Sequence, residues 1–303
     1  MKQAVRIGVD LGGTKIEAIA LDAAGKPLMR RRVETPCGDY VATVSRIVTL
    51  IEGIESDLGQ QGHVGVGIPG AISPSTGRVK NANSTCLIGQ ALDRDLEHAL
   101  DRPVRLANDA NCFAISEATD GAGADASVVF GVILGTGCGG GIVVNGRLLT
   151  GPNAIAGEWG HNPMPWPEAD ELSTPCYCGR KGCIETWLSG PGLARDYQQH
   201  GGQALSAIEI AKLAETAGDE RAHACLVRYE ERLARALASV INVLDPDVIV
   251  LGGGMSNLQR LYLNVPNLWG PYIFSDTVTT RLLQNRHGDS SGVRGAAWLW
   301  PAC

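Results

Sequence analysis

Three times in this chain an apolar, strand-like run breaks directly into glycines: VRIGVDLGGTK at 5–15, VVFGVILGTGCGGG at 128–141 and DVIVLGGGMS at 247–256. A glycine loop at a strand end presents backbone N–H groups with no side chain in the way, an arrangement suited to phosphate oxygens. After the first loop a second apolar run follows at Ile16–Leu21, and after the second another at Gly141–Val144 with a turn at Asn145-Gly146. Two strand, glycine loop, strand units predict an α/β chain of two related halves. The loops are neither of the two common nucleotide fingerprints. GGTK lacks the G-x-x-x-x-G-K-[ST] order and leads into a strand, and the loops at 135 and 252 lack G-x-G-x-x-G with a helix opening inside it.

The remaining pattern supplies helices for such sheets. Tyr40–Leu58 carries Val44, Ile47, Val48 and Ile51 at helical spacing, and GHVGVGIPG reads as a buried strand closed by a loop. Val104–Ala107 reads as a short strand and Ala110–Glu117 as a helix. A third strand follows Gly25-Lys26-Pro27 through Val33. Leu205–Leu244 is helical with a break near Gly218, and SSGVRGAAWLW reads as a closing helix.

Charge and cysteine usage remove several function classes. The formal charge of −6 gives no basic footprint for nucleic acid. No apolar run reaches the 18 residues or so of a membrane span, and MKQAVRIGVDLGG has no signal-peptide core, so a cytoplasmic protein is expected. Nine cysteines are then expected as reduced thiols.

Several polar residues fall where chemistry is possible. Asp10 precedes the first loop, where an acid beside phosphate-binding amides could hold Mg²⁺ and could equally cap a turn. Asn108 and Asp109 open a helix, so Asp109 reads as a general base or as part of a helix cap. Glu158 and His161 lie close together in GEWGH, where the flanking glycines and Pro163 favour a tight turn. Cys176, Cys178 and Cys183 form C-x-C-x4-C, and with His161 fifteen residues upstream they make a Cys₃His set. Either a closed structural zinc site or reduced core thiols fits that spacing. Cys37, Cys86, Cys112, Cys138, Cys225 and Cys303 show no ligand spacing.

DLGGTK (10–15), NDAN (108–111), LGTGCGGG (134–141), GEWGH (157–161), CYCGRKGCIE (176–185) and LGGGMS (251–256) together resemble, in order and spacing, the bacterial ROK family of sugar kinases and sugar-responsive repressors. VKNANST (79–85), EWGHNPMPW (158–166) and HGDSSGVRGAAWLW (287–300) look like its manno(fructo)kinase branch. The resemblance implies an actin-like ATPase (ribonuclease H-like) fold, with residues 1–118 and 289–303 in one lobe, 119–288 in the other, and a nucleotide and sugar cleft.

Carried over by residue, it implies Asp10 for Mg²⁺ and Gly12, Gly13, Thr14 and Lys15 for one phosphate loop. Thr136, Gly137, Gly139 and Gly140 would form a second, with Gly253 and Gly254 against the adenosine. It implies Asp109 as catalytic base, and Asn83, Asn108, Glu158, His161 and Glu185 around a hexose. It also implies structural zinc on His161, Cys176, Cys178 and Cys183. The expected activity is ATP-dependent phosphorylation of fructose at the 6-hydroxyl, with mannose and glucose slower. An N-acetylglucosamine or N-acetylmannosamine kinase and a sugar-responsive regulator are the alternatives. Family repressors add an N-terminal helix-turn-helix ahead of the first strand, which here begins at about Val5. A homodimer through the larger lobe is expected.

Overall fold

The computed structural model describes residues 5–82, 84–216 and 218–301. The chain divides into two compact units, residues 1–124 with 141–156 and 289–303, and residues 125–140 with 157–288.

In the first unit a five-stranded sheet has the order β3-β2-β1-β4-β7. β1 (Val5–Leu11) and β2 (Lys15–Leu21) form the hairpin expected around DLGGTK, and β3 (Pro27–Glu34) adds to it antiparallel. β4 (Gly62–Ile68) runs parallel to β1. A short antiparallel pair, β5 (Ala71–Ile72) and β6 (Val79–Lys80), precedes β7 (Val104–Asn108), which runs parallel to β4.

Asp39 caps α1 (Tyr40–Leu58) by accepting the Ala42 amide, and Gly59 closes it in the left-handed conformation. Its Ile47, Leu50, Ile51 and Ile54 bury against Ile7, Val9, Val64 and Val66 of the sheet. α2 (Leu92–Leu100) contributes Leu92 and Leu96 to that core, and α3 (Asp109–Thr119) follows β7 directly. The other face takes the C-terminal helix, Ser291–Trp298, whose Val293 and Ala297 pack on Ile19 and Leu21. Its approach is too close for side chains in the strands: a Cβ at Gly8 would meet the Val293 carbonyl at 2.1 Å, and one at Gly65 the Ala296 carbonyl at 1.9 Å.

The second unit is built on β8 (Val128–Leu134). β9 (Cys138–Val144) begins in this unit and ends in the first, where it pairs with β10 (Arg147–Leu149). Around β8 lie α4 (Glu185–Leu188), α5 (Gly190–Gln199), α6 (Ala207–Thr216) and α7 (Glu220–Leu244). β11 (Val248–Gly252) and, after α8 (Gln259–Leu268), β12 (Arg281–Gln284) extend a parallel sheet from β8. α7 buries one continuous face that includes Leu226, Leu233, Leu237 and Ile241. No helix among the described residues is long and apolar enough to cross a membrane.

Candidate active site

Three parallel strands of the first unit bring their acids to one edge. β1 ends beside Asp10, and the β1–β4 and β4–β7 registers align Asp10 with Gly67 and Ile68 with Asn108. The carboxyl edge of parallel strands is where such sheets bind ligands. Beyond Asp10 the chain turns at Gly12, whose amide donates to the Lys15 carbonyl at 3.0 Å. The loop carbonyls are taken: Gly12 accepts the Thr35 hydroxyl at 2.8 Å, Thr14 the Thr35 amide at 3.0 Å and Gly13 the Cys37 thiol at 3.6 Å. Gly13, Thr14 and Lys15 are exposed, so this loop offers amides and one ammonium to solvent. That is a cradle for an anion.

Asn108 caps α3, accepting the Ala110 amide at 2.9 Å, and the adjoining Asp109 carboxylate accepts the same amide at 2.8 Å. The Asn108 amide also donates to the Gly70 carbonyl at 3.1 Å, fixing the loop after β4. Asp109 keeps a solvent-exposed edge. Its carboxyl is raised above the usual range by burial, against the lowering effect of the Ala110 amide and the Asn108 side chain. Asp10 is pushed up to about 6 by burial, by the charge of Asp109 and by that of Glu17, against the opposing charge of Lys15.

Two desolvated acids with one nearby cation suit a bound divalent ion, which would restore the missing positive charge. No motif or spacing pointed to Glu17, which faces Asp10 across the hairpin, nine-tenths buried and paired with Arg30 and Arg32. Among the expected sugar residues, Asn83 lies outside the described residues.

In the second unit, the Gly135 amide donates to the Gly137 carbonyl at 3.0 Å and the Gly135 carbonyl accepts the Gly190 amide at 2.8 Å. Thr136 and Gly137 lie in this loop, whereas Gly139 and Gly140 lie inside β9. The Gly139 carbonyl there accepts the Trp159 indole at 3.1 Å. Glu185, at the start of α4, receives the Cys138 amide at 2.9 Å, which places its carboxylate against the loop. A Cβ at Gly137 would stand 2.5 Å from that carboxylate.

The third glycine loop joins the second. Gly253 has a φ of +79° and lies so close to β8 that a Cβ would meet the Leu134 carbonyl at 2.4 Å. Gly135, Thr136, Gly254 and Met255 line a pocket of about 430 Å³ with Gly190, Pro191 and Ala194 of α5 and Ser206–Ile208 at the start of α6. The α5 and α6 wall was not anticipated. Its signals were available in Ser189 ahead of Gly190-Pro191, a helix start with proline in the first turn, and in S-x-x-E at 206–209, a capping box.

GEWGH forms a single tight turn, with a 3₁₀ segment at Trp159–His161 and Glu158 exposed just before it. One ligand atom each from His161, Cys176, Cys178 and Cys183 lies within 4.8 Å of all the others. His161 Nδ1 is 3.6 Å from the Cys176 sulfur, and the sulfurs of Cys178 and Cys183 are 3.7 Å apart. A tetrahedral zinc with Zn–S near 2.3 Å requires edges of about 3.8 Å, so the donor set fits that ion. The other ring nitrogen, Nε2, bonds the Tyr177 hydroxyl at 3.0 Å, the kind of outer contact that fixes the tautomer of a metal-binding histidine. The described cysteines are all free of disulfides.

Two sheet-based units, with acids at one strand edge and glycine loops at others, place this protein among kinases of the actin-like ATPase fold. The chain belongs to the ROK family, whose model matches residues 6–302. It is 42% identical over 297 residues to an N-acetyl-D-glucosamine kinase from Photobacterium profundum, covering 96% of this chain and 98% of that one. The ROK hexokinase from Thermus thermophilus superposes with a TM-score of 0.86 at 30% identity, covering 97% of this chain and 96% of that one. A ROK glucokinase from Streptomyces griseus, solved with glucose and AMPPNP, gives 0.79 at 27% identity, covering 98% and 99%. The protein is a ROK-family sugar kinase.

Proposed function

We propose that this protein phosphorylates N-acetyl-D-glucosamine from ATP. The observation that carries the substrate is the 42% identity, over nearly the whole of both chains, to a kinase named for that sugar. The expectation of fructose rested on three short stretches, and a full-length likeness outweighs them. Fructose therefore becomes the competing arm of the test.

The chemistry follows from the two carboxylates. Asp109, held at the start of α3, takes the proton of the attacking primary hydroxyl as it closes on the terminal phosphate. Its raised pKa makes it a stronger base than a solvated aspartate, and its exposed edge leaves room for the hydroxyl. Asp10 would hold a magnesium ion, which would supply neutralising charge to the terminal phosphates. In the first unit the amides of Gly13 and Thr14 and the Lys15 ammonium are the groups for phosphate oxygens; in the second, the Thr136–Gly137 loop is the corresponding cradle, with Gly253 and Gly254 as the positions for the adenosine. Asn108 in the first unit and Glu158 and Glu185 in the second are the groups offered to the sugar hydroxyls and the acetamido group, while the ring nitrogens of His161 are taken by the metal set and by the Tyr177 hydroxyl. His161, Cys176, Cys178 and Cys183 would hold a zinc ion in a structural role, because four protein ligands would leave no open position for chemistry.

The test is ADP release from MgATP over N-acetylglucosamine, N-acetylmannosamine, fructose, mannose and glucose. A highest kcat/KM for N-acetylglucosamine is expected. Preference for fructose would overturn the substrate and keep the kinase.

A further inference from the structure

The pocket of about 430 Å³ in the second unit has an unusual shortage of groups that could read a purine. Its lining side chains are those of Thr136, Pro191, Ala194, Ser206, Ala207, Ile208 and Met255 with three glycines, and none carries a charge or an amide. The Ser206 hydroxyl is committed to Glu209, donating to its carboxylate at 2.7 Å and accepting the Glu209 amide at 3.3 Å. Thr136 lies in the glycine loop assigned to phosphate.

Most of the backbone carbonyls along the pocket already accept one hydrogen bond within the fold. The Gly135 carbonyl accepts the Gly190 amide at 2.8 Å, that of Ser206 the Ile210 amide at 3.0 Å, and that of Met255 the Leu258 amide at 3.1 Å. The Gly254 carbonyl accepts the Asn257 side chain at 3.3 Å. Gly190, Pro191, Ala194, Ala207 and Ile208 belong to α5 and α6, whose carbonyls serve the helices themselves. At the start of α6 the Ser206 and Glu209 amides are taken by the capping box, and the amides of Ala207 and Ile208 in the first turn are donors without an intrahelical partner. Donors match the ring nitrogens that adenine, hypoxanthine and guanine share.

We infer that this pocket takes the purine of the phosphate donor without reading its 6-position, so that ITP and GTP serve as donors alongside ATP. The inference rests on the kinase reading and deepens it. A site that hydrogen-bonds a distinguishing group rejects an analogue lacking it by roughly 10⁴-fold or more, whereas an apolar site discriminates near-isosteres by only about 10–200-fold. The 6-amino and 6-oxo purines are nearly isosteric. With no side-chain amide or charge in the lining to read the 6-position, binding differences come mainly from stacking and fit. Pyrimidine donors, with less surface to bury, fall further behind.

The experiment measures kcat/KM for MgATP, MgITP and MgGTP at saturating sugar, following the sugar phosphate itself so that the readout is blind to the donor. ITP within about 200-fold of ATP is expected, with GTP close to ITP. Turnover with ATP and a greater fall with ITP would overturn the inference and leave the kinase standing. No turnover with any triphosphate would remove both. Ala207→Trp, which fills the pocket from the first turn of α6, should raise the KM of all three donors together and leave the sugar KM alone. Unchanged donor KM values in that variant would show that the base lies elsewhere.

Discussion

Asn108 bonds in two directions from one side chain, its oxygen accepting the Ala110 amide at 2.9 Å and its nitrogen donating to the Gly70 carbonyl at 3.1 Å. The cap of the helix that carries Asp109 is thereby joined to the loop after β4. Asn108→Ala should cost about 1 kcal/mol as a lost cap and more for the stranded Gly70 carbonyl. Asn108→Asp keeps the cap but cannot donate, and it sets a second carboxylate beside Asp109. Its activity should fall by more than its stability. Denaturant titration and steady-state kinetics read the two effects separately, and an Asp variant with native kcat/KM would refute the coupling.

Asp109→Asn retains an oxygen for the Ala110 amide, so its fold should be close to native. Without a proton acceptor at the attacking hydroxyl, kcat should drop by about 10²–10⁴-fold. Sugar binding, followed by calorimetry, should change little. A variant within tenfold of the native kcat would exclude Asp109 as the base.

Asp10 carries the clearest pH signature. Its carboxyl stands near 6 in the folded chain, above the ordinary 3.8, so the ionised form is disfavoured by the fold. Stability contributed at this residue is therefore greatest when it is protonated, falls as pH rises from about 4 to about 6, and stays low above that. A shift of this size corresponds to at most about 3 kcal/mol. Asp10→Asn should thus stabilise the magnesium-free, nucleotide-free protein at pH 8 by up to that amount and make no difference at pH 4, while turnover is lost. Denaturant melts at the two pH values decide it, and a destabilised variant at pH 8 would contradict the electrostatic picture.

The positions of these three residues were legible because their motifs place them at strand ends, where local pattern fixes the turn or cap that follows. Tyr40–Leu58 was recovered to the residue, and Leu205–Leu244 with its break near Gly218 became α6 and α7. Long amphipathic periods and glycine stops leave few competing structures. Glu17, Glu171 and Asp196 escaped notice because a charged residue in sequence carries no sign of its burial. What buries them are arginines elsewhere in the chain: Arg30 and Arg32 for the first, Arg232 for the other two. Gly139 and Gly140 misled for the converse reason. A run of glycines reads as loop, yet here it continues a strand whose small residues let Trp159 and the Gly157 carbonyl approach closely.

The metal site predicts a stoichiometry. One zinc per chain should survive desalting, as read by mass spectrometry of the metal, and Cys178→Ser should lower it. Loss of the ion should loosen the turns at 161 and 176–183, on either side of the anchored Glu171, and raise the sugar KM while leaving the donor KM nearly unchanged, since the loop at 135–137 is held separately through Gly190. Zinc-free protein with a native sugar KM would show that the ion does not shape the sugar site.

Glu171 lies between His161 and Cys176 in sequence and is fully buried. Its carboxylate receives Arg232 at 2.6 Å and Arg235 at 2.8 and 2.9 Å, so two arginines of α7 hold the segment between His161 and Cys176. Burial pushes its pKa up, but Arg235 and Arg232 outweigh that and hold it below the usual range. The pair therefore stabilises the fold above the ordinary carboxylate pKa and loses that contribution as pH falls through the depressed value. Removing one partner of a buried ion pair costs about 3–5 kcal/mol. Glu171→Ala should destabilise by that order at pH 7, and the difference from native should shrink as the solution is acidified below about pH 4. Without Glu171, Arg235 keeps only the half-exposed Glu231 at 3.0 Å, and Arg232 keeps Asp196, which also takes Arg228, with the exposed Asp170 at 3.9 Å. A Glu171→Ala protein as stable as native at pH 7 would mean that solvent reaches those guanidinium groups and that the segment is anchored by its metal alone.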